Sequence, residues 1–185
     1  MTRYVALSRG INVGRHRRVP MPTLREWLAD LGCAEVRAYP RSGNAVFVPP
    51  SGGTGPDAWG EALERAIAER LSPDVRVLVL EGDELCRVAA RIPFSSRDID
   101  SAQLLVTFLS GPVDRARLAD LDPAAYAPDQ LHVGEREVYV HCPDGVRRSR
   151  LTQALWERRL GLFGTARDGN TVRALAAMVT SDEPR

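Results

Sequence analysis

The chain has 185 residues, 44% of them hydrophobic and 26% charged, and its formal net charge is only +1. This balance is typical of a globular protein and excludes a disordered chain, and no apolar run approaches the roughly 20 residues that a membrane-spanning helix needs. The three cysteines are far apart and form no CxxC pair, which argues against a disulfide framework and against a zinc site.

The first half of the chain predicts the element order β-α-β-β-α-β. An apolar strand at Tyr4–Gly10 begins almost at once, without a signal-peptide layout, so a cytoplasmic location is expected. The first helix starts near Met21. Within it Thr23 and Glu26 predict a capping box, and Gly32 predicts the end. The other elements predicted in this half are the strands Val36–Tyr39, Ala45–Val48 and Val75–Leu80 and the helix Asp57–Leu71.

The second half repeats this order after a connecting helix, Asp83–Ile92, which Pro93 stops. A buried strand, Leu104–Leu109, comes first, and the pattern then predicts a helix over Pro112–Leu121. Two strands, "QLHV" and "EVYVHC", predict a hairpin. The last predicted elements are a helix over Ser149–Leu160 with Ser149 as N-cap, a strand at "GTAR", and a helix capped by Asn170 or Thr171 that ends near Val179.

The two halves share this pattern without obvious residue identity. Each is typical of the split β-α-β motif, in which helices cover one face of a four-stranded antiparallel sheet. We therefore predict an α+β protein with a duplicated ferredoxin-like architecture. Its halves are residues 1–81 and 103–185, and residues 82–102 form a connecting helix and linker. One continuous mixed sheet is the alternative.

Positive charge is unevenly distributed along the chain. All 25 cations are arginines, which the codon usage of a GC-rich genome explains, and selection for planar, bidentate donors to phosphate or carboxylate is the alternative. Residues 1–25 hold six arginines and no acid, and residues 146–173 hold seven arginines against Glu157 and Asp168. Two basic blocks in an otherwise balanced chain predict a cationic face.

The first basic segment, "RGINVGRHRRVPM", connects a strand to a helix, where loop amides and the helix N-terminus favour an anion. It matches neither the P-loop nor the G-x-G-x-x-G pattern, and Pro20 and Pro22 remove amide donors, so a solvated basic loop is the alternative. The "SGN" turn that follows has ordinary hairpin chemistry. Candidate anion-binding residues of these two segments are Arg9, Asn12, Arg15, Arg17, Arg18, Arg41, Ser42 and Asn44.

The second basic segment is "PDGVRRSRLT", a glycine turn that leads into a helix start. Its candidates for binding phosphate or carboxylate are Arg147, Arg148, Ser149, Arg150 and Thr152, joined by Arg167 and Asn170 of "TARDGNT". Helix capping is the alternative role for Asn170. The chain offers no metal triad, no Ser-His-Asp set and no paired carboxylates, so we predict no metal and no cofactor, and the sequence does not identify a catalytic residue.

These motifs resemble the bacterial proteins grouped as domain of unknown function family 1697. The resemblance rests on "YVALSRGINVGRHRRVPM", "SGNAVF", "FLS", "EVYVHCPDG", "RSRLTQALWERRLG" and "NTV", and extends from about residue 3 to residue 178. It implies a cytoplasmic protein with two similar α/β halves, and no established activity. The family's habitual positions correspond here to Arg9, Gly10, Asn12, Gly14, Ser42, Gly43, Asn44, Arg148, Ser149, Leu151, Thr152, Arg167, Asn170 and Thr171.

The chain departs from that family pattern in three places. Arg15 stands where members usually have a second glycine, and Arg41 where they commonly have glutamine. The family's "RNWNT" is "RDGNT" here, so Asp168 replaces an amide and Gly169 replaces an aromatic residue. Two of these changes add positive charge, which is consistent with an anionic partner.

Three functions fit the sequence. The first is a binding module for single-stranded nucleic acid or a nucleotide-like anion, with Tyr39, Phe47 and Tyr139 as candidates for base stacking unless they are buried. The second is a small enzyme that acts on a phosphorylated or carboxylated metabolite. The third is a protein-interaction adaptor, which would not require a cationic focus. No membrane partner is expected, and the sequence does not predict an oligomeric state.

Overall fold

Eight strands and five α-helices form in the part of the chain that our computed structural model describes, residues 2–11, 19–39, 43–52, 54–70, 74–94 and 99–181. The chain divides into two compact units. The first comprises Met1–Arg87 and Ala174–Arg185, and the second comprises Val88–Arg173. Each unit contains one four-stranded antiparallel sheet, so the protein belongs to the α+β class.

The first unit is built on a sheet with the strand order β2-β3-β1-β4. Its strands are β1 (Tyr4–Arg9), β2 (Ala34–Tyr39), β3 (Asn44–Val48) and β4 (Arg76–Glu81). Its helices are α1 (Met21–Asp30) and α2 (Pro56–Arg70), and α3 (Gly82–Ala90) follows β4. All the predicted strands and helices of this half are therefore confirmed, with shifts of one or two residues at their ends.

Both faces of the first sheet are buried at its central strands. On one face, Phe47 of β3 packs in a core cluster with helix residues of regular apolar spacing, such as Leu28 of α1 and Leu63 of α2. On the other face, Val5 and Val46 are fully buried as well. The central strands β1 and β3 therefore offer no open surface to a ligand, whereas β2 at the edge is exposed or half-buried.

The capping box predicted for α1 is wrong. The helix begins at Met21 after Pro20, without a side-chain hydrogen bond at its cap. Thr23 therefore lies inside the first turn, where it cannot act as the flanking cap residue. Gly32 does end the helix as predicted: its φ is +83°, and its amide donates to the Ala29 carbonyl at 2.9 Å.

The second unit repeats the strand order as β6-β7-β5-β8. Its strands are β5 (Leu104–Leu109), β6 (Gln130–Val133), β7 (Glu137–His141) and β8 (Gly164–Asp168), and its helices are α4 (Gln153–Leu160) and the start of α5 (Gly169–Thr180). One sheet face packs on α4 through a cluster that includes Val138, Val140 and Trp156. On the opposite face Val106 and Tyr139 are also buried.

The α-helix predicted over Pro112–Leu121 is wrong. Two short 3-10 helices, Arg115–Leu118 and Pro123–Tyr126, connect β5 to β6 instead. The Asp114 carboxylate accepts the Ala116 amide, and the Asp122 carboxylate accepts the Ala124 amide, each at 3.0 Å. Such local side-chain bonds compete with the regular α-helical ladder, which explains the two interrupted turns.

Two predicted helix caps are also wrong. Helix α4 begins at Gln153, and Thr152 rather than Ser149 caps it, with its hydroxyl accepting the Leu155 amide at 3.3 Å. Helix α5 is capped by Asp168 rather than by Asn170 or Thr171. Its carboxylate accepts the Thr171 amide at 3.0 Å and the Thr171 hydroxyl at 2.8 Å, and Asp168 is the better acceptor because it carries charge at the helix N-terminus.

The last turns of α5 complete the first unit. Arg3 donates to the Val179 carbonyl at 2.7 Å, and Arg37 donates to the Ser181 carbonyl at 3.1 Å and to the Ser181 hydroxyl at 2.9 Å. Two guanidinium groups thus meet the carbonyl end of the helix, where the helix dipole favours cations. Leu175, which lies earlier in the same helix, is fully buried.

No helix within the described ranges is both long enough and apolar enough to cross a membrane. Among the same residues, no group of three or more histidine, cysteine or acidic side chains is placed to hold a metal ion. All three cysteines are free thiols.

Candidate anion-binding surface

Of the eight candidates in the first basic segment and around the "SGN" turn, two lie among the described residues. Six of them lie outside the described residues, namely Asn12, Arg15, Arg17, Arg18, Arg41 and Ser42. Arg9 is exposed at the end of β1. Asn44 is fully buried at the start of β3, opposite Leu7 of β1, and so is enclosed by protein.

Gly43 gives the "SGN" turn a structural role. Its φ is +66°, and a Cβ atom there would lie 2.6 Å from the Ile11 Cγ2 and 3.2 Å from the Ser8 Cβ. Its carbonyl accepts the Ser8 amide at 3.1 Å. Only glycine allows the β3 start and the segment after β1 to approach this closely.

The candidates of the second basic segment lie together in one turn, Arg147–Thr152, which we call the basic turn. It follows a reversal of the chain after β7, where Gly145 has a φ of +93° and donates its amide to the Cys142 carbonyl at 2.9 Å. The Arg148 amide then donates to the Gly145 carbonyl at 3.0 Å. The backbone of the turn is therefore fixed by its own hydrogen bonds.

Three residues of the basic turn fix it to the core. Leu151 is fully buried, and Ser149 is only 9% exposed. The Ser149 hydroxyl accepts the Leu151 amide at 3.0 Å. It also hydrogen-bonds Cys142, which partly opposes the effect of burial that raises the pKa of that thiol. Together with the Thr152 cap of α4, these contacts account for the "S-x-L-T" part of the motif by structure alone.

The arginines of the basic turn differ in their surroundings. Arg147 and Arg148 are exposed, and among the described residues neither side chain has a hydrogen bond or an ion pair. Asp144, the nearest acid along the chain, forms no ion pair with them. Arg150 is exposed too, but it donates to the Ala125 carbonyl and lies over the Tyr126 ring, 5.0 Å from the ring centroid. The turn thus presents two available guanidinium groups and one that is held in place.

Arg167 and Asn170 lie where β8 meets α5, on different elements from the basic turn. Arg167 is half-buried and donates to the Thr165 hydroxyl at 2.8 Å and to the Ala166 carbonyl at 2.7 Å. Burial lowers the pKa of Arg167 to about 10, and the neighbouring Asp168 carboxylate opposes that shift. Arg167 is therefore still charged at neutral pH, and Asn170 is exposed in the first turn of α5.

The aromatic residues considered for base stacking are mostly enclosed. Phe47 is fully buried and Tyr139 is 1% exposed, so the alternative of burial is correct for both, while Tyr39 is half-buried. The Tyr139 hydroxyl lies 2.9 Å from a Glu137 carboxylate oxygen and 3.1 Å from the Val88 carbonyl. Burial and the Glu137 charge raise the pKa of Tyr139 strongly, which keeps it protonated in the folded protein.

Sequence reasoning missed Tyr126, the aromatic residue that the fold brings to the basic turn. It ends the second 3-10 helix and is half-exposed, with part of its ring packed on the core of the second unit. No local pattern links it to Arg150, because the two are far apart in sequence and meet only through tertiary packing. In the sequence, Asp122 before Pro123 is the signal that the segment leading to Tyr126 forms a short turn and not a long helix.

Comparison with known proteins gives a family and a fold. A family model described as "Protein of unknown function (DUF1697)" matches residues 1–139, which end before the basic turn. No curated protein matches the sequence. A solved structure, the conserved bacterial protein SP0830 from Streptococcus pneumoniae, is 24% identical with a TM-score of 0.74, covering 97% of this chain and 99% of its own. At that identity the likeness shows a shared fold alone.

Proposed function

Since the chain belongs to the DUF1697 family of proteins of unknown function, we propose from its own residues that it binds single-stranded nucleic acid through the phosphates, with the basic turn as a contact. One observation carries this proposal: Arg147 and Arg148 are exposed and have no hydrogen bond or ion pair within the described part of the chain. Guanidinium groups bind phosphate oxygens in a bidentate way, and nothing described here competes for these two.

The position of the two arginines favours a polymer over a small metabolite. Sites for small molecules are concave and bury most of the ligand, whereas Arg147 and Arg148 project from an exposed turn. An exposed cation gains little from one hydrated anion in water. It gains more from a polyanion, because each neutralised phosphate releases condensed counterions. Nucleotides and phosphorylated metabolites are therefore the weaker candidates.

The burial of the sheet faces limits how such a ligand is recognised. Sheet-based RNA-binding modules stack bases on exposed strand aromatics, and Phe47 and Tyr139 are not exposed. Recognition would then rest on contacts from loops to the phosphate backbone. Such contacts position a nucleic-acid strand without distinguishing its base sequence. We expect weak dependence on base sequence and strong dependence on salt.

The finer fold assignment is also a proposal. We propose that the two units are a duplicated ferredoxin-like pair in a cytoplasmic protein. The repeated strand order, with the first strand between the third and the fourth, supports a duplication. The second unit departs from the pattern because 3-10 helices replace its first crossover helix.

The main test removes the two available charges. We expect Arg147→Gln with Arg148→Gln to weaken binding of a fluorescent single-stranded oligonucleotide. The slope of log K against log salt should become shallower by about 1.4, because each phosphate contact on a single strand contributes roughly 0.7. Fluorescence anisotropy between about 50 and 200 mM salt, with protein up to tens of micromolar, measures both quantities.

A matched control removes two exposed arginines outside both basic blocks. Arg65 of α2 and Arg87 of α3 are exposed, so Arg65→Gln with Arg87→Gln changes the net charge equally. This variant should keep the wild-type slope. An equal loss in both variants would show a general charge effect, and no binding by the wild type at low salt would refute the proposal. A thermal-shift screen with nucleotides and sugar phosphates tests the small-anion alternative.

A further inference from the structure

We propose that Arg150, lying on the ring of Tyr126, is a platform on which one base of the bound strand stacks. This inference rests on the proposed function, and it adds a base contact to the phosphate contacts of Arg147 and Arg148. Arg150 and Tyr126 together are called the platform below.

The first support is the fixed position of the Arg150 side chain. Its guanidinium lies 5.0 Å from the centroid of the Tyr126 ring, a cation–π distance, and it donates to the Ala125 carbonyl. Among the described residues, Arg150 has no other hydrogen bond, ion pair or ring contact. The guanidinium is therefore oriented before any ligand arrives, which reduces the entropy lost on binding.

The second support is the layering of the platform on the core. Tyr126 is half-buried, and its ring packs against the cluster that contains Leu151 and Trp156. Arg150 lies over that ring and is itself exposed. The order from inside to outside is therefore core, tyrosine ring, guanidinium and solvent, so a base would add the next layer on the guanidinium.

The third support is the chemistry of an arginine plane. Proteins that bind single strands stack bases on aromatic side chains or on guanidinium planes, and such stacking tolerates any base because every base has a π-face. A lysine carries the same charge without the plane. The platform therefore predicts that the bases contribute to the binding affinity, and that this contribution depends on the planar shape of residue 150 and not on its charge.

The arginines next to the platform in the basic turn supply the contact to phosphate. Arg148 lies two residues before Arg150, on the same exposed turn, and has no hydrogen bond or ion pair in the described structure. A nucleotide offers a phosphate next to each base, so one turn can hold the phosphate and stack the base. This combination distinguishes a nucleic acid from other polyanions.

The test compares a base-bearing oligonucleotide with an abasic one of equal length and charge. We expect the wild type to bind an oligo-dT strand roughly tenfold more tightly than the abasic strand, in the range that base stacking provides. The variant Arg150→Lys should lose most of this preference and keep the salt slope. Arg147→Gln with Arg148→Gln should show the opposite result, a shallower salt slope with the preference retained.

Each outcome separates the two proposals. Equal wild-type affinity for both strands overturns the platform and leaves the phosphate contacts standing, whereas no binding of either strand overturns both. If Arg150→Lys weakens binding of both strands equally, Arg150 acts only as a structural tie to the Ala125 carbonyl, and the platform is wrong. The variant Tyr126→Leu, which keeps an apolar side chain on the core, provides a second measurement, and circular dichroism on each variant verifies folding.

Discussion

At the scale of single residues, the departures from the family pattern at "RDGNT" have a structural explanation. Asp168 is the cap of α5 and accepts two hydrogen bonds from Thr171. Gly169 begins the helix against the start of β5. A Cβ atom there would lie 2.9 Å from the Ser101 carbonyl oxygen and 3.0 Å from the Leu104 Cδ2. This chain therefore has no room at that position for the aromatic residue that the family pattern contains.

The contact at Gly169 predicts a clear cost for any side chain. We expect Gly169→Ala to lower the free energy of unfolding by about 1–3 kcal/mol, because the new methyl group meets backbone that cannot move aside easily. Gly55, which precedes α2, is the control, since a Cβ atom there would meet nothing within 4 Å. Urea denaturation of both variants measures the difference, and equal stability of the two would show that the β5 start can yield.

Cys33 predicts a dependence of stability on alkaline pH. Burial raises the pKa of this thiol from 9.0 to about 11, so the folded protein keeps the proton after the unfolded chain has lost it. The unfolded state then binds fewer protons, and stability falls as the pH rises from about 9 to about 11.

Comparison with the variant Cys33→Ala isolates that effect from other groups that titrate nearby. The wild type should be more stable than the variant at pH 7, and this difference should shrink between pH 9 and 11. Denaturation curves at several pH values provide the measurement. A difference that stays constant across that range would mean that the Cys33 thiol ionises as readily in the folded protein as in the unfolded chain.

At the scale of elements, each sheet has an edge strand whose amides are bonded by helix side chains. The Val77 amide of β4 donates to the Glu64 carboxylate of α2 at 2.8 Å. In the second unit, the Gly164 amide of β8 donates to the Glu157 carboxylate at 2.9 Å, and the Ala166 amide donates to the Gln153 side-chain oxygen at 3.0 Å. Unpaired amides on an edge strand would invite pairing with another chain, so these side chains protect the edges.

Removing the protection from β8 should have two consequences. We expect Gln153→Ala with Glu157→Ala to lower the free energy of unfolding by about 1–3 kcal/mol, the sum of two ordinary hydrogen bonds. We also expect a greater tendency to associate, because two edge amides become available. Denaturation and light scattering measure these effects. Arg158→Ala, on the same helix, is the control. If it lowers stability and promotes association as much as the double variant does, the protective role of Gln153 and Glu157 is refuted.

The elements that sequence could predict are those with strong periodicity. Leu24 and Leu28 of α1 and Leu63 and Ile67 of α2 recur at helical spacing and are buried as that spacing requires. The segment after Pro112 has a similar pattern, yet aspartate side chains close local turns there. Helix ends were also mispredicted, because Ser149 and Thr152 are both good cap residues and only tertiary packing decides between them.

The candidate site was predictable in part for the same reason. The basic turn is local, and so its arginines are visible in the sequence as a cluster. Sequence alone does not show which of them are already engaged. Arg150 and Arg167 have partners that come from tertiary or strand contacts, whereas Arg147 and Arg148 do not have any among the described residues.

At the scale of the whole molecule, the end of α5 belongs to the first unit although it follows the second in sequence. Leu175 is fully buried and Val179 is 7% exposed, and the carbonyls of Val179 and Ser181 accept hydrogen bonds from Arg3 and Arg37. The first unit therefore obtains two of its polar contacts from residues 174–181.

A truncated chain tests this contribution. Ending the chain after Arg173 should destabilise the first unit, so that hydrogen exchange accelerates in β1–β4 more than in β5–β7. The milder variant Leu175→Ala should lower the free energy of unfolding by about 2–5 kcal/mol, as expected for a fully buried leucine. Peptide-resolved exchange by mass spectrometry measures both. Unchanged exchange in β1–β4 after truncation would contradict the assignment of α5 to that unit.

The place of α5 has a consequence for synthesis on the ribosome. Domains generally fold in the order in which they emerge, at about 5–20 residues per second. Here β1–β4 leave the exit tunnel first, but residues 174–181 are translated only after the whole of the second unit. Strands β1–β4 must therefore wait in an incomplete state for roughly 4–17 s while Val88–Arg173 is translated, and they are open to chaperones during that time.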